Sequence, residues 1–145
     1  MDLLIENFFQ SRDWKPFSFQ KKTWQAYHEG KSGLVHAPTG TGKTYAVWLP
    51  PLIKWMNENT SKKSRPPPLK VLWLTPLRAL VEDTTRSLLE LVEALEIPWT
   101  VESRSGDTSG NLKAKQRKKF PSALVTTPES LSLLLSYPET KESFS

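Results

Sequence analysis

The chain has 145 residues, 37% of them hydrophobic, no cysteine, and a formal charge of +5 at pH 7, with a mean hydropathy of −0.47 and a pI near 9.5. That length suits one domain with its own core; no apolar run approaches the about 18 residues of a membrane span, and an opening with Asp2 and Glu6 does not read as a basic secretory leader. The lack of cysteine excludes a disulfide framework and any cysteine-ligated zinc and suits a cytoplasmic protein, while the positive balance leans toward polyanionic partners without specifying one.

In chain order, residues 2–11 form a short amphipathic helix, broken at Trp14-Lys15-Pro16. Ser18 is placed to cap a second helix from Phe19 to Glu29, and Gly30 stands where a C-cap glycine belongs. Strand and helix then alternate: strand 33–36 before helix 43–58, strand 70–74 before helix 77–95, strand 99–103 before helix 111–119, and strand 123–126 before helix 129–136. Helix 77–95 is the clearest, because Leu77, Leu80, Val81, Thr84, Leu88, Leu91, Val92 and Leu95 recur at helical steps. Pro50-Pro51 should kink helix 43–58, and residues 59–69 read as a polar, proline-rich surface loop. Four strand–helix units predict an α/β fold, a parallel sheet sandwiched by helices, with ligands beyond the carboxyl ends of the strands.

The first such end holds Ala37-Pro38-Thr39-Gly40-Thr41-Gly42-Lys43-Thr44. Glycines at 40 and 42 let successive N–H groups turn into one concavity, and the helix that follows adds its positive dipole end. Lys43 is placed for the β- and γ-phosphates of a nucleotide, and the Thr44 hydroxyl for Mg²⁺. Thr39, Gly40, Thr41 and Gly42 complete the cradle.

Other positions leave alternatives open. The Gln20 amide matches the N7/N6 edge of adenine, with Trp14 or Phe17 to stack on the ring; side-chain chemistry alone favours a solvated helix glutamine among core aromatics. Thr75-Pro76 starts a helix with Arg78 one turn in, and Thr127-Pro128 repeats the device. Such starts hold a nucleic-acid phosphate or are plain caps. Gly106, in Arg104-Ser105-Gly106-Asp107-Thr108, allows a backbone to approach a ligand or simply turns the chain. Lys113, Lys115, Arg117, Lys118 and Lys119 form either a phosphate-facing or a solvated helix face. His28 and His36 have no metal-like spacing and read as structural.

Together these motifs resemble the first RecA-like domain of a superfamily 2 DEAD/DExH-box helicase. Trp14-Lys15-Pro16-Phe17-Ser18-Phe19-Gln20 is similar to the Q-motif, 23 residues before the loop lysine. Residues 37–44 are similar to motif I, whose first position is alanine, and Ala46-Val47-Trp48-Leu49-Pro50 to the helix that follows it. Thr75-Pro76-Leu77-Arg78-Ala79-Leu80 resembles motif Ia. Thr126-Thr127-Pro128-Glu129-Ser130-Leu131 resembles motif Ib in its Lhr-type form, and Ser105-Gly106-Asp107-Thr108 before a basic helix points to the same branch. Within that branch, residues 19–48 are most similar to the bacterial ligase-associated DExH-box helicase.

The resemblance implies ATP and Mg²⁺ as cofactors, with Trp14 and Gln20 at the adenine, residues 39–44 at the phosphates and Thr44 at the metal. It implies nucleic acid as partner, DNA favoured over RNA, with Pro76, Arg78, Gly106, Thr127 and Pro128 on its backbone. A functional link to a DNA ligase follows from the same likeness, and no membrane partner does. Residues 1–32 would be N-terminal helices carrying the Q-motif, and residues 33–145 a first RecA-like domain ending before motif II. No Asp-Glu-x-His or Asp-Glu-Ala-Asp stands after residue 130, so the expectation is binding without turnover from these residues alone, the missing second RecA-like domain being needed for hydrolysis and unwinding. The rivals are a non-catalytic nucleic-acid-binding module and a nucleotide kinase; Ala37 and the Q-motif spacing argue against the kinase.

Overall fold

The computed structural model describes residues 3–38, 40, 42–59 and 65–144, and contacts divide the chain into units Met1–Lys62 and Lys63–Ser145. The first unit is helical. Ile5, Phe8 and Phe9 recur on one face of helix α1, Leu3–Gln10, and all three are buried. Asp13 takes a positive φ of 54° to turn the chain out of it, and the Trp14 N–H returns to the Phe9 carbonyl at 2.8 Å.

Helix α2 spans Ser18–His28. Its cap is Phe17 rather than Ser18, a correction with a simple cause. Gln20, three residues into the turn, accepts the Phe17 N–H through Oε1 at 2.8 Å, so the helix starts one residue early and Ser18 lies inside it. Gly30 closes α2 as expected, with φ of 70° and its N–H on the Tyr27 carbonyl at 2.9 Å. Helix α3, Lys43–Glu58, packs on α2, runs through Pro50 and Pro51, and buries Ala46, Trp48, Leu49, Leu52 and Ile53.

The strand expected at 33–36 does not form. Leu34 is 93% exposed. An apolar extended segment becomes a strand only when a neighbour takes its N–H and C=O groups, and no ladder includes residues 33–36.

The second unit carries the sheet. Strands β1 (Val71–Leu74), β2 (Val101–Arg104) and β3 (Ala123–Thr126) are parallel, in the order β1-β3-β2. Leu74 and Arg104 both register with Thr126, so the three carboxyl ends lie level. The central strand is buried along its whole length, as expected of a parallel strand covered on both faces. Helix α4, Val81–Ala94, packs on β2 and β3 through a stripe that includes the buried Val81, Leu88, Leu91 and Val92. Helices α5 (Gly110–Lys118) and α6 (Pro128–Leu135) pack against the closing 3₁₀ segment Pro138–Phe144. Phe120, Leu124 and Leu134 form a core, with Leu69, Leu72 and Phe144 around it. The α/β expectation holds, with three parallel strands among the described residues instead of the four expected. Residues 60–64 of the expected surface loop lie outside the described residues.

Candidate nucleotide and nucleic-acid sites

In the first unit one amide joins the Q-motif-like segment to the glycine loop. Gln20 is 2% exposed; its Nε2 donates to the Gly42 carbonyl at 3.0 Å while Oε1 holds the Phe17 N–H. The same Gly42 carbonyl accepts the Ala46 N–H at 3.2 Å, the first turn of α3. Gly42 has φ of 81°, and a Cβ there would fall 2.6 Å from Gln20 Nε2. Two constraints therefore demand glycine: the left-handed backbone and the close amide. Gly40 also has positive φ, at 77°.

The bend delivers the N-terminal end of α3, with Lys43 and Thr44 as its first two residues, toward the loop. Thr39 and Thr41, the other expected phosphate-binding residues, lie outside the described residues. Beside the loop is an open cleft of about 740 Å³, lined in part by Trp14, Phe17, Gln20, Gly40, Gly42 and Tyr45. Trp14, 46% exposed, lies edge-on to Tyr45 at 5.8 Å, and Phe9 packs edge-on against Trp14, Trp24 and Tyr45. The Trp24 indole N–H donates to the Tyr45 carbonyl at 3.3 Å. The Gln20 amide, expected to read adenine, lines this cleft while bonded to Phe17 and Gly42. Each end of the amide keeps one further hydrogen-bonding capacity, but its present partners are Phe17 and Gly42.

In the second unit the expected backbone-binding residues sit at three level strand ends. Thr127 caps α6 as expected: its hydroxyl accepts the Ser130 N–H at 3.3 Å, and Pro128 follows as the first helical residue. Thr75-Pro76 does not repeat the device. The Thr75 N–H continues the sheet ladder to the Thr126 carbonyl at 3.0 Å, a 3₁₀ turn occupies Arg78–Leu80, and α4 starts at Val81 without a side-chain cap. Thr75 remains in the sheet, and so cannot start the helix. Leu77 and Leu80, expected on the buried stripe, are consequently 58% and 45% exposed.

Arg78, after β1, reaches the turn after β2. Its Nε lies 3.1 Å from Asp107 Oδ2, and its guanidinium covers Gly106, where a Cβ would fall 1.8 Å from Nη2. The turn is built by Ser105 and Thr108: the Thr108 hydroxyl accepts the Ser105 N–H at 2.9 Å, and the Ser105 hydroxyl the Asp107 N–H at 3.2 Å. Ser109 caps the basic helix α5, accepting the Leu112 N–H. Of its cations, Lys113 points Nζ at the Gly106 carbonyl, 3.5 Å away, and Arg117 lies over the Tyr137 ring at 4.5 Å.

Sequence reading missed two features here. Arg104 is a buried cation at the end of β2, donating to the Lys113 carbonyl at 3.1 Å and Gln116 Oε1 at 3.4 Å. Burial, with Arg117 nearby, holds its guanidinium below its ordinary pKa, while Tyr137 acts in the opposite direction. The other feature is Asp107 as the partner of Arg78. A carboxylate beside a turn glycine was its only signal.

The parallel sheet flanked by helices in the second unit is an α/β arrangement, and its structural neighbours are RecA-like helicase domains. The family model for DEAD/DEAH box helicases matches residues 17–145, and the chain belongs to that family. Among relatives, the Lhr helicase/probable uracil glycosylase of Mycolicibacterium smegmatis is 35% identical over 144 residues, covering 91% of this chain and 9% of its own length. The ATP-dependent helicase Lhr-Core of Methanocaldococcus jannaschii is 35% identical over 133 residues, covering 83% of this chain and 15% of its own. The Mycobacterium smegmatis helicase Lhr, solved bound to ssDNA and AMP-PNP, is 32% identical with a TM-score of 0.71, over 97% of this chain and 18% of that one. The helicase MrfA aligns at 25% identity and a TM-score of 0.79, over 99% of this chain and 22% of that one. The chain therefore spans less than a quarter of each of these four proteins. Among the described residues no helix is long and apolar enough to cross a membrane.

Proposed function

We propose that this chain supplies the nucleotide-binding and part of the strand-binding surface of an ATP-dependent DNA helicase of the Lhr, ligase-associated type. The observation that carries the reading is the buried Gln20 amide fixed to the Gly42 carbonyl. It ties a Q-motif-like segment to a motif I-like loop beside a cleft large enough for a nucleotide. In this reading residues 1–32 are the Q-motif helices and 33–145 belong to a first RecA-like domain.

The donor set fits ATP and Mg²⁺. Two positive-φ glycines leave room for phosphate at the N-terminus of α3. Lys43 would neutralise the β- and γ-phosphates, Thr44 would ligate the metal, and Thr39, Gly40, Thr41 and Gly42 would wrap the phosphate chain. Trp14 would cover the base at the cleft, with Gln20 coupling that end to the loop. In the intact helicase, ATP with Mg²⁺ would supply the transferable phosphoryl group, its binding closing two domains around the strand and its hydrolysis reopening them. These residues bind and orient; with no Asp-Glu-x-His in the sequence, the chain alone holds nucleotide without turning it over. Arg78, Pro76, Gly106, Thr127 and Pro128 would grip the DNA backbone without reading bases. DNA is favoured over RNA by likeness to Lhr, whose solved form holds ssDNA; the ligase link rests on the resemblance to the ligase-associated helicase, and the cytoplasmic location on the lack of cysteine.

The test is binding of a fluorescent ATP analogue to the chain and to Lys43→Ala. Removing one charge-assisted phosphate contact should weaken binding about 10–100-fold and leave single-stranded DNA binding unchanged. Nucleotide affinity indifferent to Lys43→Ala would overturn the nucleotide site and favour a plain nucleic-acid-binding module. ATP turnover by the chain, lost in Lys43→Ala, would overturn the claim that it binds without hydrolysing.

A further inference from the structure

We propose that Asp107 is an internal stand-in for a backbone phosphate: it holds Arg78 while no strand is bound and yields it when one arrives. The inference rests on the reading of Arg78 as a backbone contact and adds a regulator to that contact. Strands β1 and β2 are not neighbours, since β3 lies between them; their ends stand two strand spacings, or about 10 Å, apart. Arg78 nonetheless crosses from the turn after β1 to meet Asp107 in the turn after β2, at 3.1 Å.

Nothing in the packing requires this pair. The two side chains are 57% and 79% exposed, and an exposed ion pair adds little to folding. What it does is place the guanidinium. Gly106 lacks the Cβ that would collide with Arg78 Nη2, so the guanidinium lies across the turn, beside the carbonyl that Lys113 approaches. Two cations thus converge on one turn, and one of them faces a carboxylate. Carboxylate and phosphate oxygens present the same acceptors to a guanidinium, so a phosphate can take the place of Asp107 with no change in the arginine. A weak, solvated pair exchanges readily. Until it does, Asp107 keeps Arg78 occupied.

The experiment is fluorescence anisotropy of a labelled oligo-dT against wild type, Asp107→Asn, Arg78→Ala and the double variant, across a salt series. Asp107→Asn should bind about 2–5-fold tighter at low salt, the scale of one exposed charge pair, with the gain shrinking as salt rises. Arg78→Ala should weaken binding, and in that background Asp107→Asn should give no gain. Tightening by Asp107→Asn that persists without Arg78 would make Asp107 a general repulsive charge and overturn the proposal. If Arg78→Ala weakens binding while Asp107→Asn has no effect, the stand-in fails and the backbone contact survives. Binding indifferent to Arg78→Ala removes the contact itself, and the proposal with it.

Discussion

The two glycine turns that face the proposed ligands are held in opposite ways. At Gly42 the backbone is left-handed, with φ of 81°, and its carbonyl is fixed by an amide only 2% exposed. At Gly106 the glycine is covered by the exposed, flexible Arg78. A hydrogen bond from a buried amide to a constrained backbone is costly to lose, whereas an exposed ion pair can exchange for another anion almost freely. The nucleotide turn is therefore pre-shaped, as a site for one compact anion should be. The strand-end turn is adjustable, which suits a polymer that must slide and be released.

The comparison is most severely tested at Gly42. Gly42→Ala should cost roughly 1–2 kcal/mol for the left-handed backbone, with about 1–3 kcal/mol more for the displaced Gln20 amide. The cost should appear in denaturant unfolding, with nucleotide-analogue binding lost in parallel. If alanine is accepted there without loss of stability, the turn is not pre-shaped and the contrast collapses.

Gln20→Leu isolates the clamp from the backbone. The leucine keeps the bulk but leaves the Phe17 N–H without its acceptor, a loss of about 1–3 kcal/mol. The Gly42 carbonyl retains the Ala46 N–H, so α3 should keep its start while the loop loosens. The expected signature is weaker nucleotide binding with helix content by circular dichroism unchanged. Loss of helix content instead would mean that Gln20 supports α2 alone.

Much of this architecture was legible in the sequence, and its failures share one cause. Helices α3, α5 and α6 lie within a residue of expectation, because period and local caps act over three or four positions. Thr127-Pro128 and Thr75-Pro76 show the limit: the same two letters cap a helix at one strand end and continue the ladder at the other. What separates them is the neighbour of Thr75, the Thr126 carbonyl, which lies 51 residues away in sequence. Likewise Leu34 and Val35 are as apolar as Val71 and Leu72, yet only the latter pair finds a ladder. Strand propensity is local and strand partnership is not. The hydrogen bond from Gln20 to the Gly42 carbonyl was not anticipated, because it joins residues 22 positions apart. The Arg78–Asp107 pair depends on the strand order, which no periodicity encodes.

The smallest expected effect is at Gly106, and it bears most directly on the difference between the turns. A Cβ at this position meets only the far end of Arg78, with Nη2 at 1.8 Å and Cζ at 2.7 Å, and a long side chain can swing away where a buried amide cannot. Gly106→Ala should therefore leave unfolding stability within about 0.5 kcal/mol of wild type, the usual range for a surface change. Its effect should appear in the arginine instead. Displaced from the turn, Arg78 loses Asp107, and the contribution of that pair to a double-mutant cycle should vanish. Equal destabilisation by Gly42→Ala and Gly106→Ala would show that both turns are rigid; a strand-binding surface able to exchange one anion for another would then have to be sought away from the β2 end.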